Sequence, residues 1–119
     1  MNILNVKVTA DDYGYSNKRN EGIECAINNG IVNSVSVLVN GLALKPLTLI
    51  TSKEVRIGLH LNLTEGKPVT SNLESVRTLL NQNDEFFPKV DFQGKLDSFC
   101  EQEVGSKYYL FIFNFQPCL

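Results

Sequence analysis

Two adjacent carboxylates stand where the first predicted strand gives way to a loop, in residues 9–14, Thr-Ala-Asp-Asp-Tyr-Gly. In β/α folds, catalytic groups collect at the carboxyl ends of the strands. One carboxylate at such a point can coordinate a cation while the other accepts a proton from water. The same residues also fit a simple turn that caps the next helix. Asp11 and Asp12 are therefore candidate site residues with a structural alternative.

The chain's single histidine, His60, lies in a second polar segment, residues 58–66. Strand alternation predicts His60, Asn62 and Thr64 on one face and leucines on the other. A parallel strand buried on both faces is normally apolar throughout, so this polar stripe fits a barrel interior that carries ligands near its mouth. The alternative is a core histidine that is hydrogen-bonded to a neighbouring carbonyl.

These two segments predict one shared site if the first and third strands end at the same edge. Carboxylate and imidazole donors suit a divalent metal that activates water and polarises a carbonyl. A catalytic metal usually has three protein ligands, however, and the sequence offers one histidine and no further Asp/His motif. It also contains no phosphate-binding glycine loop, no GxSxG motif and no HExxH motif.

The composition excludes several classes of protein. With 119 residues, 43% hydrophobic residues and a net charge of −2, the chain resembles neither a disordered nor a collagen-like polypeptide. Its 11 basic residues do not outnumber its 13 acidic ones, which argues against a nucleic-acid partner. Three cysteines without CxxC spacing indicate neither a disulfide framework nor a zinc knuckle. We expect no membrane span, no signal peptide, and an intracellular, cytoplasmic location.

Hydrophobic periodicity predicts an α/β fold, because helical linkers alternate with buried strands. Ser16 or Asn17 is expected to cap the first helix, with Glu21 early enough to favour its dipole, and Asn29-Gly30 to end it. The predicted strands are residues 4–10, 34–40 and 56–63, and the predicted helices are residues 17–29, 41–53, 72–80 and 95–104.

Taken together, these segments resemble the YdjC-like carbohydrate deacetylases. The matching stretches run from about Ile3 to about Val104 and are weaker towards the end. They are residues 9–14, 20–23, 29–36, 39–40 and 58–68, followed by 84–87 and 100–104.

The resemblance implies a distorted, TIM-like β/α barrel that removes acetyl groups from N-acetylated sugars such as chitooligosaccharides. It also implies a divalent metal, often Mg²⁺ but in some cases another ion such as Zn²⁺. By resemblance, Asp11 is the general base, and Asp12 and His60 are metal ligands. The family's third ligand is a histidine from a motif downstream of the position of Val104.

Family members are much longer, and here an aromatic run follows Val104. We therefore expect residues 1–104 to be the amino-terminal portion of an incomplete barrel and residues 105–119 to be foreign to the family pattern. The expected function is a truncated deacetylase, weakly active or inactive, whose partner is an acetylated oligosaccharide. The alternative is a non-catalytic partial barrel that binds such a sugar or a protein partner. The sequence leaves homodimerisation open.

Overall fold

The computed structural model of the chain describes residues 6–46, 54–99 and 103. The chain divides into two compact units, Met1–Leu61 and Asn62–Leu119. The predicted boundary at residue 104 and the aromatic segment 105–119 lie outside the described residues, so both stay predictions. The elements are strand β1 (Thr9–Tyr13), helix α1 (Asn17–Asn28), strands β2 (Ser34–Val37) and β3 (Arg56–Leu59), a 3₁₀ helix (Leu73–Leu79), helix α2 (Lys89–Gln93) and a second 3₁₀ helix (Leu96–Ser98).

The first unit contains a three-stranded parallel sheet in the order β1-β2-β3, with α1 connecting β1 to β2. The predicted α/β class with a parallel sheet is confirmed. Closure into a barrel stays a prediction.

Strand β1 begins and ends later than the alternation pattern predicts. It covers Thr9–Tyr13, so the expectation that Asp11 and Asp12 lie in the loop after the strand is wrong. Residues 6–8 are not in a strand, and residues 1–5 lie outside the described residues. The side chain of Asn33 takes the place of a partner strand here. Its Oδ1 accepts a hydrogen bond from the Val8 amide at 2.9 Å, and its Nδ2 donates to the Val6 carbonyl at 2.9 Å. The Val8 carbonyl also accepts from the backbone amides of Asn33 and Ser34, at 3.2 and 3.1 Å. The period-two pattern therefore continues into backbone that is bonded mainly through one residue, Asn33.

A β-bulge interrupts the pairing of β1 with β2. Ala10 pairs with Val35 and Tyr13 pairs with Val37, so Asp11 and Asp12 together face the single residue between those partners. The φ angle of Asp12 is +67°, a left-handed conformation that few residues other than glycine adopt. The two candidate carboxylates therefore sit on the one irregularity in this ladder, a feature that often re-aims side chains next to active sites.

Helix α1 begins and ends close to its predicted limits. The Ser16 hydroxyl caps it by accepting a hydrogen bond from the Arg19 amide at 3.3 Å, and Gly30 follows the helix with φ +71°. Its first turn contains no acidic residue, so the prediction that Glu21 lies early enough to favour the helix dipole is wrong.

The core of the first unit forms between one face of α1 and the sheet. The predicted apolar face of the helix is confirmed by the burial of Ile23 and Ile27. The buried members are Tyr13, Ile23, Ile27, Val32, Val35 and Val37.

Three predicted elements of the first unit are shorter than expected or missing. Strand β2 ends at Val37 instead of residue 40. No helix forms over residues 41–46, where a turn closes through a hydrogen bond from the Gly41 amide to the Leu38 carbonyl at 3.0 Å; residues 47–53 lie outside the described residues. Strand β3 ends at Leu59 instead of residue 63. The polar stripe proposed for a continuous strand over residues 60–64 is therefore wrong.

The second unit has a small core of its own, formed by Val76, Leu79, Leu80 and Phe86. The predicted helix over residues 72–80 is a 3₁₀ helix with non-helical backbone at Val76. Within the predicted helix 95–104, Leu96–Ser98 form a short 3₁₀ helix, Phe99 is extended and residue 103 is helical, while residues 100–102 and 104 lie outside the described residues. Across the described part of the chain, no helix has the length and apolar character needed to span a membrane.

Candidate functional site

The carboxyl ends of β1 and β3 bring together two of the predicted site residues. Asp12 Oδ1 lies 3.4 Å from His60 Nδ1. His60 directly follows β3, and its amide donates a hydrogen bond to the Val37 carbonyl at 2.8 Å, which extends the pairing of β3 with β2 by one residue. The sequence-based expectation that these two side chains meet at one sheet edge is therefore met.

The imidazole of His60 places one ring nitrogen, Nδ1, next to Asp12. Its Nδ1 is buried, and within the described part of the chain no donor or acceptor bonds to it. The contact with Asp12 is close but lacks hydrogen-bond geometry. The sequence also allowed a core histidine that is hydrogen-bonded to a neighbouring carbonyl. The Nδ1 atom makes no such bond within the described residues. A buried ring nitrogen left in this state is costly and therefore suited to a ligand.

The second carboxylate oxygen of Asp12 is held by a residue that sequence reasoning missed. Arg19 Nη1 donates to Asp12 Oδ2 at 2.6 Å. The guanidinium carbon of Arg19 also lies 4.2 Å from the centre of the Tyr15 ring, a cation–π contact. A signal was present in the sequence, because a cation in the first turn of a helix opposes the helix dipole.

Asp11 occupies the other position of the bulge and is exposed. Among residues 6–46, 54–99 and 103, its carboxylate makes no hydrogen bond and no ion pair. The alternative role of the two aspartates as helix caps is not observed, since Ser16 provides the cap. A turn does form, because the Asp12 carbonyl accepts a hydrogen bond from the Tyr15 amide at 3.1 Å.

A buried amide supports the loop behind these carboxylates. Asn20 is fully buried; its Oδ1 accepts from the Gly14 amide at 2.7 Å, and its Nδ2 donates to the Ala43 carbonyl at 2.8 Å. Gly14 has φ +101°, and a Cβ there would lie 2.8 Å from the Leu38 carbonyl oxygen. The position thus requires glycine both for its backbone conformation and for space.

Asn62 and Thr64 form a local turn and do not continue strand β3. The Asn62 Oδ1 accepts hydrogen bonds from the amides of Thr64 and Glu65, each at 3.1 Å, and so closes a local turn in the second unit. Within the ranges the structure covers, no group of three or more His, Cys, Asp or Glu side chains could hold a metal ion. Asp12 and His60 are thus two potential donors that lie close together, and their role as metal ligands stays a prediction.

The sequence itself matches a known family over most of its length. A family model described as "YdjC-like protein" covers residues 5–107. The chain belongs to the YdjC-like family. The resemblance stated from the motifs is thereby confirmed.

Among curated relatives, the YdjC-like chain is similar to proteins named "Carbohydrate deacetylase". It is 40% identical over 92 residues to the one from Danio rerio, a match that covers 76% of this chain and 29% of that protein. It is 41% identical over 90 residues to the one from Mus musculus, covering 75% of this chain and 29% of that protein. The chain thus spans less than a third of the length of these curated relatives.

A solved structure shares the fold. It is the crystal structure of a putative cellobiose-phosphate cleavage protein from Enterococcus faecalis V583, which superposes with a TM-score of 0.70 at 28% sequence identity. The match covers 85% of this chain and 39% of that one. The neighbour supports the α/β class of the YdjC-like chain.

Proposed function

We propose that this chain carries the amino-terminal part of a metal-dependent carbohydrate deacetylase site that acts on N-acetylated sugars such as chitooligosaccharides. The observation that carries the proposal is the pairing of Asp12 Oδ1 with His60 Nδ1 at 3.4 Å. The names of the curated relatives supply the reaction class, and membership of the YdjC-like family links them to this chain.

The donor set fits a divalent cation such as Mg²⁺ or Zn²⁺. Asp12 offers a carboxylate oxygen, and His60 offers a buried ring nitrogen that has no hydrogen-bond partner among the described residues. Both donor types bind divalent metals. When bound, the cation would polarise the acetamide carbonyl and increase the acidity of a water molecule.

Asp11 is the proposed general base. Its carboxylate is exposed and, within the described residues, free of any ion pair that would hold its charge in place. An acceptor in this condition can take a proton from a water molecule that attacks the acetamide. Its neighbour Asp12 is engaged by Arg19 and is less available for that task. The bulge thus allows the two adjacent carboxylates different roles, Asp11 as general base and Asp12 as metal ligand.

We further propose that the chain is weakly active or inactive as it stands. Asp12 and His60 supply two ligands, whereas a catalytic metal usually has three. The deficit within the described residues also favours a second candidate function, a non-catalytic partial barrel that binds an acetylated sugar or a protein partner.

The test measures acetate release from diacetylchitobiose by the purified chain, with Mg²⁺ or Zn²⁺, beside the full-length mouse relative. We expect a rate well below that of the relative, and loss of the remaining activity in Asp11→Asn. A rate equal to that of the relative would contradict the proposed weak activity. Sugar binding without acetate release, unaffected by Asp12→Ala and His60→Ala, would favour the non-catalytic function.

A further inference from the structure

Arg19 has no role in the chemistry proposed above, yet it makes the shortest contact of the candidate site. Its Nη1 lies 2.6 Å from Asp12 Oδ2, on the side of the carboxylate that does not face His60. The two oxygens of Asp12 are thus divided between a cationic donor and a histidine ring.

The position of Arg19 is itself fixed at two points. Its amide donates to the Ser16 hydroxyl at 3.3 Å, which ties the backbone to the helix cap. Its guanidinium carbon lies 4.2 Å from the centre of the Tyr15 ring. Because a planar guanidinium stacked on an aromatic ring loses little further freedom on bonding, it is a suitable group for orienting a carboxylate.

The backbone of Asp12 is also constrained, so the side-chain torsions are the freedom that remains. Its φ of +67° lies in the bulge, and its carbonyl accepts a hydrogen bond from the Tyr15 amide. Without a donor on Oδ2, the carboxylate could rotate and direct either oxygen, or neither, towards His60. Carboxylates that bind metals are generally held by such outer partners.

We propose that Arg19 is a positioning residue that holds Asp12 Oδ2 so that Oδ1 stays directed at His60 Nδ1 and ready for a divalent cation. This role rests on the proposed function, because it requires that Asp12 and His60 bind a cation. An opposing effect is present, since the positive charge of Arg19 repels a cation at Asp12. At a side-chain exposure of 43% solvent weakens that repulsion, so the orienting effect dominates.

The probe is Mn²⁺, whose unpaired electrons broaden the NMR signals of nearby amides. Titration of the full 119-residue chain is followed at the amides of Asp12 and His60. We expect Arg19→Ala to weaken Mn²⁺ binding by about 10- to 100-fold, the range typical of lost outer partners. Arg19→Lys, which keeps the charge and one donor direction, should recover part of that loss. If Arg19 only supported the fold, Arg19→Lys would not restore part of the Mn²⁺ affinity measured at these two amides.

The chain offers a matched control. Arg77 pairs with Asp84 at 2.7 Å, and both side chains are 49% exposed, in the second unit. Arg77→Ala removes a comparable ion pair and should leave Mn²⁺ binding at Asp12 and His60 unchanged. Thermal melts of each variant identify any loss of folding. If Arg19→Ala does not fold, the Mn²⁺ affinity of Arg19→Lys is compared with that of the wild type.

The outcomes separate the two proposals. Wild-type binding at Asp12 and His60 that is unchanged or tighter in Arg19→Ala overturns the role of Arg19 and leaves the cation site standing. No localised broadening in the wild type overturns the cation site, and the role of Arg19 with it. An equal loss in Arg77→Ala also rules out a specific role for Arg19.

Discussion

Asp12 Oδ1 and His60 Nδ1 lie 3.4 Å apart at the carboxyl ends of two strands that do not pair with each other. Strand β2 lies between β1 and β3, and its Val37 carbonyl holds the His60 amide. The bulge in β1 and the one-residue extension of β3 together bring these side chains into contact across the middle strand.

If these two side chains share one cation, their contributions to binding are not additive. We expect Asp12→Asn and His60→Gln each to weaken Mn²⁺ binding by at least about tenfold, the lower end of the loss known for outer partners alone. The double variant should bind Mn²⁺ only slightly less tightly than whichever single variant binds it less tightly. Either change alone already disrupts the shared site. Isothermal titration calorimetry measures all three. The control is Asp97→Asn, an exposed carboxylate in the second unit. Fully additive losses would contradict a shared cation.

Tyr13 makes the free energy of unfolding depend on pH in the alkaline range. Burial, and then the hydrogen bond to Glu24 and its negative charge, raise the pKa of Tyr13 from 10.0 to about 12. Between those values the unfolded chain loses the phenol proton while the folded chain keeps it, so the unfolded chain binds fewer protons and the free energy of unfolding falls as pH rises. The contribution is complete below pH 10 and amounts to about 2–3 kcal/mol.

Urea denaturation from pH 9 to 12 tests this dependence. Tyr13→Phe keeps the buried ring and should lose this part of the pH dependence. Glu24→Gln should retain most of it, because burial is the largest cause of the raised pKa. An identical alkaline profile in the wild type and Tyr13→Phe would show that the phenol keeps its proton no better in the folded chain.

Asn20 should be one of the most sensitive polar positions in the first unit. Asn20→Ala strands the Gly14 amide and the Ala43 carbonyl, and each unsatisfied group costs about 1–3 kcal/mol if it stays buried. We expect a clear fall in the free energy of unfolding in urea. Asn28→Ala, an exposed change near the end of the same helix, should stay within about 0.5 kcal/mol of the wild type. Equal effects of the two changes would remove the supporting role of Asn20.

Two glycines should respond to alanine in opposite directions. Gly14→Ala places a Cβ 2.8 Å from the Leu38 carbonyl oxygen at φ +101°, so we expect a loss of about 1–3 kcal/mol or more. Gly22 lies in α1, and a methyl group added to it would meet nothing within 4 Å, so Gly22→Ala should stabilise the helix by up to about 1 kcal/mol. Thermal melts of both variants check the signs, and a stabilising Gly14→Ala would contradict the close packing of this loop.

Local signals in the sequence predicted much of the first unit. Ser16 and Gly30 set the limits of α1 because capping and left-handed backbone are properties of single residues. The meeting of Asp12 with His60 followed from a general rule, that parallel strands end at one edge.

What could not be predicted depends on contacts between distant residues. Asn33 bonds the backbone at residues 6–8, and so β1 begins later than its alternation suggests. Asn62 closes its own turn, although a period-two pattern placed it beside His60. The hydrogen bond from Arg19 to Asp12 depends on a β-bulge, which the pattern of hydrophobic residues does not predict.

The bulge has a consequence for how this sheet edge can change. A regular ladder would place one residue between Ala10 and Tyr13, so only one acid could occupy this point of the strand. Loss of a single codon would restore regular pairing and delete one of the two acids in the same event. No amino-acid exchange can do both, so a one-residue deletion is the shortest route from this edge to an ordinary strand end.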